Sequence, residues 1–175
     1  LLIGATTITS NNANVTFGST LNGAQTLSIA GGTGTTTFTG AIGGTTPLTS
    51  LSVTAATITQ SSTARTTGAL TYTAATAINV GGNITTSGGA ITMTGPVVVS
   101  GNPTFDSTNA GGTAAGANIS FSSTLNGATA LTLRAGTVGV VSFGGAVGGT
   151  TPLTNLAFTS ASSIQISNNI TVSGA

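Results

Sequence analysis

Residues 17–33 read FGSTLNGAQTLSIAGGT, and residues 121–137 read FSSTLNGATALTLRAGT. Ten of the 17 positions are identical at an offset of 104. A second block follows each copy, FTGAIGGTTPLTSLS at 38–52 and FGGAVGGTTPLTNLA at 143–157, with 11 of 15 identical at an offset of 105. Residues 17–52 are thus matched by 121–157, and the chain from 1 to 175 reads as one continuous repeat array. Self-similarity of this kind marks folds built by stacking, where each unit touches only its neighbours.

A third match has a different offset. INVGGNITTSG at 78–88 pairs with IQISNNITVSG at 164–174 at an offset of 86, against 104 and 105 for the first two. The first copy therefore carries a stretch that the second lacks, approximately QSSTARTTGALTYTAATA at 60–77. An indel of that size predicts a modular coil. A solenoid gains or loses one coil without disturbing the others, whereas a sandwich would have to rebuild its core.

Short runs rich in β-branched residues, such as NVTF, TLSIA, SLSVTA, LTYTA, PVVVSG and NITVSG, recur between Gly, Asn and Pro turns. Such spacing is a strand signal, and no stretch has a helical apolar period. Within LSVTAATIT, alternation places Leu51, Val53 and Ile58 inside and Ser52, Thr54, Thr57 and Thr59 outside. The expected fold is all-β, a parallel β-solenoid of about 20 residues per coil. Stacked at about 4.8 Å per coil, roughly eight or nine coils would make a rod some 40 Å long.

Composition narrows the function classes. The chain has two Arg (Arg65 and Arg134), one acid (Asp106), and no His, Cys, Lys or Trp. Charged residues are 2% of the chain, against about 25% in ordinary domains. General acid/base catalysis, nucleophile activation and metal ligation draw on the missing types, so no catalytic, cofactor-binding or metal residue is assigned and no enzyme is expected. Two Arg cannot supply the phosphate contacts that nucleic acid requires. Leu, Ile, Val and Phe number 41 of 175, which favours a fold over a flexible linker. No apolar run reaches membrane-spanning length. The first residues, LLIGATTITS, lack a basic leader region and an initiating Met, so the chain is expected to be an excerpt of a longer one.

Taken together, TLNGA, then TLSIA or LTLRA, then F-x-G-A-(I/V)-GGTTPLT-(S/N)-L and NIT-(T/V)-SG, resemble the repeat regions of large bacterial surface proteins, the filamentous-haemagglutinin-like and autotransporter-like adhesins. The resemblance covers the chain from about Thr7 to Ala175 and is carried by Thr20–Ala24, by Phe38, Gly40, Ala41 and Gly43–Leu48, and by the second copies. It implies a right-handed parallel β-helix, export to the cell surface or medium, and roles in adhesion, biofilm or filaments.

Several residues invite a sharper reading. Asn14, Asn83, Asn118 and Asn169 each begin an N-x-S/T acceptor sequence. The plainer expectation is a corner position, where Asn tolerates left-handed backbone and stacks into an amide ladder. T-x-T triplets occur at 7–9, 57–59, 71–73 and 92–94, and overlapping at 35–39. A regular Thr ladder on a β-solenoid can order water and bind ice. The step from Thr57 to Thr71 is much shorter than the step from Thr71 to Thr92, which argues against one constant coil length. Arg65 and Arg134 read as exposed side chains with stems lying on the coil, and Asp106 as a carboxylate without a partner. The GG pairs at 43–44 and 148–149 lack any phosphate-loop context and read as corners.

The function expected is structural: an adhesin shaft or fibre subunit outside a bacterial cell, self-associating laterally or end to end, with carbohydrate or cell-surface contact. The alternatives are a self-assembling filament of stacked subunits and an ice-binding solenoid.

Overall fold

The computed structural model describes residues 1–174, and among these every regular element is a β-strand. All the strand pairs are parallel, and each strand pairs with one about a coil further along the chain. The chain is a β-solenoid of about seven turns spaced about 22 residues apart. This corrects the expected eight or nine coils of 20. Coil length varies: Leu51 pairs with Leu70 but Ile91 with Ile119, so the second of these coils is half as long again as the first. The longer coils carry excursions, chiefly 107–118 and the GGTTP loops, so the stack is about 34 Å long at the usual spacing between strands.

Each coil has three faces. The first is built from Thr6–Thr9, Thr26–Ala30, the opening halves of Ser50–Gln60 and Leu70–Val80, Ile91–Thr94, Ile119–Phe121, Val140–Phe143 and Ser163–Ile166. The second runs through Val15–Phe17, Thr35–Phe38, the closing halves of the two long strands, Val97–Val99 and Leu125–Asn126, and then the bridges to Val147 and Ile170. The third runs from Leu21 and Ile42 through Ala64–Thr66, Ile84–Thr86, Thr104–Asp106, Ala130–Arg134 and Asn155–Ser160.

Alternation feeds one side chain in two to the interior, and registration stacks like on like. On the first face one inward column is Leu27, Leu51, Leu70, Ile91, Ile119, Val141 and Ile164. Leu51, Val53 and Ile58 are buried as alternation requires. The parity change between Val53 and Ile58 is made by a register shift at 55–57, where the chain rounds a corner. Aromatic rings stack along the axis: Phe121 and Phe143 have centroids 5.4 Å apart at 5°, and Phe17 and Phe38 lie 5.1 Å apart at 6°. Such pairs contribute about 0.5–1.5 kcal/mol beyond area burial.

The two repeat copies do not lie on the same faces. Thr26–Ala30 is on the first face, but its counterpart Ala130–Arg134 is on the third. Phe38 is on the second face, and its counterpart Phe143 on the first. The repeat offset is therefore a whole number of faces and not of coils. The indel at 60–77, by contrast, adds one full coil: Ile58 stacks on Ile78, Ala64 on Ile84 and Leu70 on Ile91.

Several polar side chains are buried, among them Thr36, Gln60, Thr66 and Thr86. The Tyr72 hydroxyl donates to Gln60 Oε1 at 2.8 Å, and Gln60 Nε2 donates to Ser62 O at 2.8 Å. Thr36, fully buried, leaves its Oγ1 without a hydrogen-bond partner.

Candidate interaction surface

With the interior filled by stacked apolar columns, function falls to what the three faces present outward. On the first face the outward residues register as Thr7↔Ser28↔Ser52↔Thr71↔Thr92↔Ser120↔Ser142↔Gln165. Seven successive tiers carry a hydroxyl and the eighth an amide. Two residues further along each strand a second column reads Thr9↔Ala30↔Thr54↔Thr73↔Thr94. Three of the T-x-T triplets, 7–9, 71–73 and 92–94, share these two columns, in the first, fourth and fifth tiers. Thr57–Thr59 belongs to the second face, so measuring from it to Thr71 mixes two faces. The sequence-based objection to a regular ladder does not hold.

The second face is mixed, with Thr16, Thr37, Thr59, Asn79, Val98 and Asn126 in one outward column. The third carries all three charged residues in a single column, Arg65↔Thr85↔Asp106↔Arg134. Asp106 is not a lone carboxylate, and Arg134 is only part-exposed. Arg134 Nη1 lies 3.9 Å from Asp106 Oδ2, a partner hidden in the sequence because a whole long coil separates the two along the chain. That contact is long; backbone donors do more. Asp106 Oδ1 accepts from Thr108 N (2.7 Å) and Thr108 Oγ1 (2.6 Å), and Oδ2 accepts from Ala110 N (2.8 Å). The carboxylate thus anchors the start of the 107–118 excursion, and Ser107 Oγ closes its base by donating to Ala117 O and accepting from Ala117 N. Arg65 is half-buried, between the inward Ala64 and Thr66.

Asparagines staple one coil to the next. Asn14 Oδ1 accepts from Thr35 N at 2.8 Å, Asn83 Oδ1 from Thr104 N at 2.9 Å, and Asn118 Oδ1 from Val140 N at 2.9 Å. The corner position is as expected. The amide ladder is not what forms there, because each side chain reaches a backbone N–H that opens the next strand. Left-handed backbone belongs instead to Asn11, Asn12, Asn102 and Asn109. Asn169 accepts through its backbone carbonyl, from Val147 N at 2.9 Å.

The most duplicated motif is one such staple. Asn22 Oδ1 accepts from Thr45 N and Thr46 N (2.9 and 3.2 Å), and Asn126 Oδ1 from Thr150 N and Thr151 N (3.0 and 3.2 Å). TLNGA in one coil therefore holds the GGTTP loop of the next. Gly43 and Gly148 open these loops at φ 66° and 68°, and a Cβ there would strike the Arg65 or Thr171 carbonyl of the following coil. That close approach explains the first glycine of each GG pair.

Comparison with family models, curated proteins and solved structures returned no match.

Proposed function

We propose that this chain is a structural segment of an extracellular repetitive protein, an adhesin shaft or fibre unit at a bacterial surface. The carrying observation is the complete coil gained at 60–77 with every column kept in register. A protein whose length changes by whole coils has length as its adjustable property, which suits a spacer or stalk. Hydrogen bonds run along the axis on three faces, so tension between coils is shared by several ladders at once. The asparagine staples add side-chain bonds across the same interfaces. Near-absence of charge lowers repulsion between neighbouring rods and favours lateral association. The likeness of the TLNGA and GGTTPLT blocks to surface-adhesin repeats supports export and cell-surface attachment. Electron microscopy of the native material, with antibody labelling, tests this: thin rods on or shed from the cell surface are expected, and compact particles confined to the cell interior would overturn it.

A further inference from the structure

We propose that the first face binds ice, holding ordered water on its two outward columns. This deepens the rod reading by naming a partner for one side of it.

The first column repeats without a break over eight tiers, at about 4.8 Å between tiers, with the second column about 6.6 Å away along the strands. Among the described residues, none of the hydroxyls in either column is hydrogen-bonded to protein. Outward hydroxyls on the other faces, such as those of Thr37 and Thr85, are free as well, but their columns are interrupted by Val98 and by the three charged side chains. The first face therefore presents an array of free donors and acceptors. Threonine is stiff at χ1, so the part of the array made by Thr7, Thr9, Thr54, Thr71, Thr73, Thr92 and Thr94 is ordered before a partner arrives.

Duplication moves outward columns from one face to the next. Because the copies are displaced by one face, Thr26–Ala30 of the first face recurs as Ala130–Arg134 on the third, where Arg134 points outward. In the second half the first face is built from the displaced copies of second-face strands, so Ser120 and Ser142 stand where the repeat places Thr16 and Thr37.

The chemistry then selects the partner. No large exposed apolar residue lies in the outward columns, and the aromatic rings point inward. A sugar chain would find no stacking platform, and a second copy no apolar core for a stable interface. All charge is on the third face, so an ionic partner has no counterpart here. What remains is a neutral, periodic hydrogen-bonding lattice, which is water ordered as ice.

The test is the gap between melting and freezing points of an ice crystal in the purified chain, with ice recrystallisation as a second readout. Thr71→Tyr and Thr92→Tyr put bulk on the face while keeping strand propensity; Thr37→Tyr and Thr85→Tyr do the same on the second and third faces. Circular dichroism confirms folding, and Ser52→Tyr repeats the test in another coil should a threonine variant fail to fold. A wild-type gap lost in the first-face variants and kept in the controls is expected. Absence of both ice activities in the wild type, or their survival in the first-face variants, overturns the inference. Rods without ice activity would retire this proposal alone, and ice activity without rods would retire the shaft alone.

Discussion

Tyr72 makes the stability of this protein sensitive to alkali and to little else in between. It is the one side chain in the sequence that titrates between about pH 5 and pH 12, since there is no His, Cys, Lys or Glu. Full burial pushes its phenol far above the ordinary tyrosine value, because a phenolate there would be stripped of water. The unfolded chain releases this proton at about pH 10, and the folded chain holds it. The unfolded state therefore binds fewer protons above that pH, and stability falls as pH rises. The stabilisation is fully present below about pH 10 and declines by about 1.4 kcal/mol per pH unit above it, roughly 3 kcal/mol by pH 12. Denaturant titrations across that range, read beside near-ultraviolet phenolate absorbance, should show ionisation only as the chain unfolds. Tyr72→Phe should abolish the alkaline slope. It should also cost about 1–3 kcal/mol at neutral pH, because the buried Gln60 Oε1 loses its donor, and Gln60→Leu in the same background should recover much of that. A phenolate signal rising near pH 10 in a fully native protein would show that burial does not hold the Tyr72 proton.

Thr36→Val removes a buried hydroxyl with no partner and should stabilise by about 1 kcal/mol, seen as a melting point raised by about 2–4 °C. Asn126→Ala should cost about 1 kcal/mol and speed amide hydrogen exchange at Thr150 and Thr151, with exchange in distant coils unchanged. Asp106→Asn would set an amide against the Ala110 N–H and cost about 1–3 kcal/mol; thermolysin should then cut within 107–118 faster than in the parent.

Much of the fold could be read from particular residues. Leu51, Val53 and Ile58 point inward as alternation requires, and the indel at 60–77 is one coil because a solenoid core is a set of columns that closes over any missing tier. Other features were hidden because they exist only between coils. Asp106 and Arg134 meet across a whole coil of intervening chain, and the T-x-T columns appear only once faces are separated. Coil length was underestimated because GGTTP and 107–118 leave the rung without adding strand. Thr36 and Gln60 were not expected inside, since their polarity argues for solvent while their parity puts them in the core. The asparagine staples had a visible signal, Asn just before a strand at Asn14, Asn83 and Asn118 and the Asn repeated in both TLNGA copies. Their acceptor role lies in the neighbouring coil, which a linear reading does not supply.

The coil is the unit of this structure, and deleting residues 57–76 puts that to experiment. Because Thr57 pairs with Ala77, the cut joins Ala56 to Ala77 in register, stacking Ile84 over Ile42, Ile91 over Leu51 and Val80 over Phe38. The variant should keep the β circular dichroism spectrum and a cooperative melt, in a rod shorter by about 4.8 Å. Deletion of 57–66 alone, half a coil, should destroy the fold. Loss of structure in the full-coil deletion, or equal tolerance of both, would show that the coil is not the unit.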